Sequence, residues 1–194
     1  DRLPKILKKV KSIKSVVIIN YPGKPFLKSK KIKNIKFFYW NSIMKIKNKK
    51  IQFKKFDFEH ELAILYSSGT TGKPKCICHR SGGVLLQHLK EHQLHCNIKP
   101  GDNVFYFTTC GWMMWNWLVS VLASKASIVL FDGFPMFKKK DLLLEIIEKE
   151  KISLFGVSAK YIDALNKANI KSKYKLKSLR TICSTGSPLS RDGF

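Results

Sequence analysis

Short apolar runs separated by turn residues set the pattern of this chain. Residues 15–19, Ser-Val-Val-Ile-Ile, predict a short buried strand, and Tyr21-Pro22-Gly23-Lys24-Pro25 a turn after it. Residues 24–57 are lysine-rich with scattered aromatics, which predicts irregular surface around a short helix. Residues 62–66 form a strand, and 76–79 continue extended. Ser81 is placed to cap a helix running to about residue 97, with Val84, Leu85, Leu89 and Leu94 as its apolar positions. Lys99-Pro100-Gly101-Asp102 reads as a turn.

Strand and helix then alternate. Residues 104–107 predict a strand, 112–124 a buried helix, 127–131 a strand and 138–151 a helix. A strand at 152–155, a helix at 158–168 and a last strand at 179–184 complete the series. Such alternation, with runs of β-branched residues, predicts an α/β fold built on a mostly parallel sheet flanked by helices. No internal repeat interrupts it. Ligands of such sheets sit at the carboxyl ends of strands. The loops after Tyr66, Phe107 and Ser184 each follow a strand end and are the candidate site loops.

Charge changes the picture at the N-terminal side. The chain of 194 residues carries a formal net charge of +24, and residues 1–60 hold 18 Lys and Arg against 3 acids. Such a basic third can neutralise nucleic-acid phosphates. Against that reading, Lys31-Ile32-Lys33-Asn34-Ile35-Lys36 alternates as a solvated face does, and Arg, which leads base-edge readout, is scarce. A nucleic-acid partner is therefore not expected. No apolar run reaches the roughly 18–20 residues of a membrane span, and the first residues lack the long apolar core of a signal peptide. Cys76, Cys78, Cys96, Cys110 and Cys183 make an odd count without a framework, which suits free thiols in the cytoplasm.

The densest chemistry lies at Tyr66-Ser67-Ser68-Gly69-Thr70-Thr71-Gly72-Lys73-Pro74-Lys75. Hydroxyls donate hydrogen bonds, glycines allow a concave nest of backbone N–H groups, and lysines bring positive charge, so this loop can wrap a polyphosphate. It is not a Walker A loop, because only two residues separate Gly69 from Gly72. Ordinary loop composition is the competing reading.

Ser-Ser-Gly-Thr-Thr-Gly-Lys-Pro-Lys resembles the phosphate-binding signature of the adenylate-forming, AMP-dependent synthetases and ligases. The tryptophan-rich segment 108–117, the helix segment 88–92 and Ser184-Thr185-Gly186-Ser187-Pro188-Leu189 resemble the acetoacetate-activating branch of that family. The resemblance runs from about residue 15 to 194. It implies a basic segment, residues 1–60, leading into the central part of an AMP-binding domain, residues 61–194, with the small C-terminal domain lying outside this chain. It implies activation of a short acid, acetoacetate favoured, by ATP and Mg2+ to an acyl-adenylate and then transfer to coenzyme A. An acetate- or propionate-activating relative is the nearest alternative.

Residue by residue, the resemblance assigns phosphate binding to Ser67, Ser68, Gly69, Thr70, Thr71, Gly72 and Lys73. It assigns the acyl pocket to Trp112, Met113 and Met114, and adenine contact to Gly186, Ser187 and Pro188. The tryptophans can equally fill a core, and the Gly186 turn can simply connect two elements. Ser187 stands where the family has Glu, which leaves backbone contacts as the dependable part. The family's acidic magnesium ligand and catalytic lysine are expected beyond Phe194, so no catalytic residue is assigned here and the chain alone is expected to be inactive. His88, His92 and His95 share a helix face with Cys96 adjacent, but no closed Cys-x2-Cys pair accompanies them, so a solvated or partly buried face is expected and not a metal site.

Overall fold

Pro4 lies in the first turn of helix α1 (Leu3–Lys9), where its missing N–H leaves no bond unmade, and Lys8 and Lys9 lie at the carbonyl end of the helix dipole. In this computed structural model residues 2–21, 32, 34–47, 50–67, 72–170 and 173–194 are described, and the chain divides into two units, residues 1–55 and 56–194.

The first unit pairs strand β1 (Ser15–Ile18) in parallel with β2 (Lys36–Tyr39), followed by the single turn of α2 (Trp40–Ile43). Val16, Ile18, Phe37 and Tyr39 take the half-buried positions of the pair. The strand β2 corrects the expectation of irregular surface over residues 24–57. The strand is only four residues long and begins on a lysine, and its partner lies 21 positions away in register, Ser15 opposite Lys36. A pairing of that kind leaves little local trace in sequence.

The second unit begins with an antiparallel hairpin, β3 (Glu61–Ser67) and β4 (Lys75–Arg80), with Ser67 opposite Lys75. Helix α3 (Ser81–Lys90) follows and widens into a π turn over Glu91–His95. Ser81 is the first helical residue, not the cap. Arg80 holds the cap position, and the Ser81 hydroxyl donates instead to the Asp57 carbonyl at 3.3 Å. The apolar positions also behave differently from expectation. Leu85 and Leu94 are exposed, Leu94 by 78%, whereas His88 and His92 are buried.

Four parallel strands form the main sheet in the order β6-β5-β7-β8: β5 (Asn103–Tyr106), β6 (Ser127–Val129), β7 (Leu154–Ser158) and β8 (Thr181–Thr185). Helix α4 (Met113–Ser120), continued by a 3-10 turn over Val121–Ser124, joins β5 to β6. Helix α5 (Leu142–Lys149) joins β6 to β7, and α6 (Ala159–Lys167) joins β7 to β8. Side-chain alternation splits the sheet's two faces. Val104, Tyr106 and Leu154 meet Met114, Trp117, Leu118 and Val121 on one face. On the other, Phe105, Phe155 and Val157 meet Leu143, Ile147 and Tyr161. Each fully buried aliphatic side chain here contributes about 1.5–3 kcal/mol of transfer free energy.

Helix ends have local causes. The Ser158 hydroxyl accepts the Tyr161 N–H at 3.3 Å and caps α6. The helix expected from residue 138 begins at Leu142, because Lys138 has φ +62°, which no α-helix accommodates. The connections after β5 and β7 part to opposite faces at adjacent strands, which makes a crevice at their carboxyl ends.

Candidate functional site

The carboxyl edge of the parallel sheet gathers two of the three loops singled out in sequence. Beyond β5 the chain stays extended through Phe107, whose N–H donates to the Gly156 carbonyl at 2.8 Å, then turns through Thr108, Thr109 and Cys110. Trp112 is the extended cap residue of α4 (φ −112°, ψ 150°). Its ring stands edge-on to Tyr106, with centroids 6.4 Å apart, and is 36% exposed. Tyr106 is fixed in turn from below: a Cβ on Gly156 would lie 2.0 Å from the Tyr106 ring. Burial pushes the Tyr106 phenol up, so it stays protonated.

Two strands over, β8 ends at Thr185 and turns through Gly186, Ser187 and Pro188, all exposed. Gly186 has φ +91°, a conformation open to glycine and strained for other residues. The third loop leaves a different sheet. Among the described residues strand β3 pairs in the antiparallel hairpin with β4, so all three loops follow strand ends as expected, but two of them leave the parallel sheet and one leaves the hairpin. Ser67 ends β3 half-buried, Gly72 (φ +151°) and Lys73 are exposed, and Ser68, Gly69, Thr70 and Thr71 lie outside the described residues.

Met113 and Met114 take different roles on α4, since successive helical residues point about 100° apart. Met114 is 8% exposed and belongs to the core under the sheet. Met113 is 42% exposed and lines a cavity of about 490 Å3 together with Asn116, Trp117, Leu65 of β3, Arg80 of β4 and Glu91. A second cavity of about 500 Å3 opens at the carboxyl ends of β5 and β6, lined by Thr108, Thr109, Cys110, Trp115, Phe131 and Asp132. Thr108 and Thr109 had no assigned role in the sequence, although their paired hydroxyls directly after a strand were the available signal. The three tryptophans thus divide: Trp112 at the edge, Trp115 at the second cavity, Trp117 in the core wall of the first.

A polar row fixes α3 against α4 beside the first cavity. The Glu91 carboxylate accepts the Trp117 indole N–H at 2.8 Å and the Gln87 amide at 2.6 Å. The Nδ1 of His88 lies 2.7 Å from the Ser120 hydroxyl, which itself donates to the Trp117 carbonyl. Burial lowers the His88 pKa against the opposing Glu91 charge. Burial, reinforced by His88, brings His92 down to about 4, and the Trp117 ring stands edge-on to it at 4.3 Å. Both histidines are therefore neutral near pH 7, and the face expected to be solvated or partly buried is buried at His88 and His92 and exposed at His95.

The profile of the family described as AMP-binding enzyme matches residues 1–193. The chain belongs to the AMP-binding enzyme family. Within it, 144 residues are 54% identical to "Acetoacetyl-coenzyme A synthetase" of Rhizobium meliloti (strain 1021), over 73% of this chain and 22% of that protein. The "Malonamoyl-CoA synthetase vrtB" of Penicillium aethiopicum is 43% identical over 161 residues, 75% of this chain and 22% of that protein. Among solved structures, "Acetoacetyl-CoA Synthetase from Streptomyces lividans" superposes with a TM-score of 0.84 at 36% identity, over 100% of this chain and 29% of that one. The chain thus spans between a fifth and a third of the length of these AMP-binding relatives. Its mixed α/β fold with helices flanking a parallel sheet is that of the matching part of the acetoacetyl-CoA synthetase. No helix among the described residues is long and apolar enough to cross a membrane.

Proposed function

We propose that this chain carries one part of the active site of an ATP-dependent ligase that joins a short acid, acetoacetate favoured, to coenzyme A. The observation that carries the proposal is the placement of Met113 and Asn116 on one cavity in the first turn of α4, the helix that follows β5. Support comes from the superposition of the whole chain on an acetoacetyl-CoA synthetase.

In the first step a carboxylate oxygen of the acid attacks the α-phosphorus of ATP, and the bond to pyrophosphate breaks. In the second the coenzyme A sulfur attacks the acyl carbonyl carbon, and AMP leaves. The chain's part is placement and charge stabilisation. Ser67, Gly72 and Lys73, with Ser68, Gly69, Thr70 and Thr71 between them, hold the β- and γ-phosphates. Trp112 and Met113 wall the acyl group, with Met114 packing behind them. Gly186, Ser187 and Pro188 meet the adenine, chiefly through backbone atoms. Mg2+ would neutralise phosphate charge when bound. Residues 66–75 hold no carboxylate, so this loop does not fit as its protein ligand and no step is assigned through the ion. On this reading residues 61–194 are the central part of an AMP-binding domain, residues 1–60 lead into it, and the enzyme works in the cytoplasm.

A second acid is favoured by the likeness to the malonamoyl-CoA synthetase. Acetoacetyl and malonamoyl groups both carry a second carbonyl two carbons from the first. The Asn116 carboxamide, on the cavity wall beside Met113, can donate a hydrogen bond to that carbonyl.

The test is binding of two unreactive acyl-adenylate mimics to the chain, one acetoacetyl and one butanoyl. A site that hydrogen-bonds the extra carbonyl favours the acetoacetyl mimic by about tenfold. Asn116→Leu is expected to erase the preference without abolishing binding. Equal affinities for the two mimics would move the reading to a plain short-chain acid, and no binding of either at millimolar concentration would remove the site. The chain alone is expected to make no acyl-CoA, and turnover at appreciable rates would contradict the view that it holds only part of the machinery.

A further inference from the structure

Two of the five cysteines meet. Cys96 closes the π turn after α3, where its N–H donates to the Glu91 carbonyl at 2.8 Å. Cys183 sits in the middle of β8, opposite Gly156 of β7. They are 87 positions apart in sequence, yet their Sγ atoms lie 4.0 Å apart. Both pack against the core cluster of Tyr106, Trp117 and Leu118, and both are only half-buried, so a small oxidant can reach them. Cys76, Cys78 and Cys110 are exposed on other elements. Nothing in the proposed ligase chemistry uses Cys96 or Cys183.

We propose that Cys96 and Cys183 form a reversible redox pair that closes to an intramolecular disulfide under a peroxide, pinning β8 to the end of α3. The sulfurs must approach by about 2 Å to reach the bonded separation of roughly 2.05 Å. Cys96 is the attacking thiol. The contact with Cys183 holds the Cys96 thiol below its ordinary pKa, against burial and the Glu91 charge, which push it up. The same contact, with burial, pushes Cys183 up. The Cys96 thiolate attacks one peroxide oxygen and becomes a sulfenic acid, releasing hydroxide that is protonated to water. The Cys183 sulfur, losing its proton as it attacks, then displaces the hydroxyl from the Cys96 sulfur as a second water and forms the S–S bond. Two electrons leave the thiol pair and two reduce the peroxide. A dithiol reductant restores both thiols.

The bond would tie together the two ends of a long loop and fix the strand whose last residue precedes Gly186. Closure of such a loop is expected to raise the thermal midpoint by roughly 5 °C or more. The inference stands on this contact alone and does not depend on the ligase reading.

The experiment treats the chain with equimolar hydrogen peroxide, then blocks free thiols and maps the peptides by mass spectrometry without reduction. The expected result is a cross-linked pair of peptides containing Cys96 and Cys183, on monomeric protein, and its loss after dithiothreitol. Repeating it in the Cys76→Ser, Cys78→Ser, Cys110→Ser variant is expected to give the same cross-link. If that variant fails to fold, the wild-type map decides by itself. Cys96→Ser and Cys183→Ser are each expected to abolish the midpoint shift. The proposal is overturned if both thiols remain free, if Cys96 stops at sulfenic or sulfinic acid with Cys183 unmodified, or if the cross-links join two chains or other cysteines.

Discussion

Gly156 is the residue on which the site edge turns. The Tyr106 ring occupies the space where any Cβ at position 156 would lie, and Tyr106 in turn holds Trp112 edge-on. Gly156→Ala is therefore expected to destabilise the chain by about 1–3 kcal/mol in urea titration, as overpacking of a tight core does. Tyr106→Leu in the same chain is expected to recover part of that loss. An unchanged midpoint for Gly156→Ala would mean that the ring does not rest there. Gly186 is a second fixed point. At φ +91° an alanine is strained, so Gly186→Ala is expected to cost about 1 kcal/mol in stability and to weaken nucleotide binding in the same titration. Neither constraint was visible in sequence as such. The Gly186-Ser187-Pro188 turn could be read from its composition, whereas Gly156 sits in an apolar strand run, and its need depends on a ring 50 residues away.

His92 carries the clearest pH dependence. It is buried and neutral, and its pKa falls from an ordinary 6.5 to about 4 on folding. The unfolded chain therefore binds this proton before the folded chain does. Stability from this group is fully present above pH 6.5 and declines as pH falls towards 4, by at most about 3 kcal/mol. Thermal midpoints measured from pH 7.5 to 4.5 are expected to fall, and the fall to be shallower in His92→Leu. Identical slopes in the two proteins would show that His92 does not titrate this way.

At the scale of elements, a parallel sheet was legible because its two central strands, β5 and β7, are largely apolar and buried, whereas the outer strands β6 and β8 are only half-buried or exposed. Leu154, Phe155 and Val157 are all buried, and no alternation was needed to find them. The α3 helix was legible in existence and misread in orientation. Counting leucines pointed to Leu85, Leu89 and Leu94, but the buried row runs through His88 and His92 with Glu91 half-buried between them. The Trp117 indole and the Ser120 hydroxyl of α4 satisfy Glu91 and His88, and that partnership, invisible in α3 alone, turns the helix. The π turn at Glu91–His95 leaves Leu94 outside.

The turn before β5 is tied to the strand β8 by one ion pair. Arg180 reaches both carboxylate oxygens of Asp102, at 3.1 and 2.6 Å. Burial alone would raise the Asp102 pKa, but the Arg180 hydrogen bonds and the Lys99 N–H hold it below its ordinary value. Arg180→Met leaves a partly buried carboxylate without its partner. The expected loss is about 1 kcal/mol near neutral pH, reduced by added salt because the Arg180 side chain is partly exposed. A loss below about 0.3 kcal/mol would place this pair among ordinary surface pairs.

At the scale of the molecule, the family was legible from one loop, residues 66–75, and from the tryptophan segment, because each packs special chemistry into few residues. The assignment to the AMP-binding enzyme family rests on the match over residues 1–193. The division of labour between Met113 and Met114 was not legible, since it depends on which side of α4 meets the sheet. The hairpin origin of the phosphate loop was equally hidden, because an isolated strand run does not announce its partner's direction.

On the proposed function, the carboxyl edge of the sheet receives a nucleotide. The most direct measurement is the map of backbone amide shifts in nuclear magnetic resonance spectra of the chain as AMP is added. Saturable shifts are expected at Gly186, Ser187 and the residues around Trp112, with ATP adding shifts at Gly72 and Lys73. Saturable shifts confined to the lysines of residues 1–55, or no shifts at millimolar AMP, would contradict it.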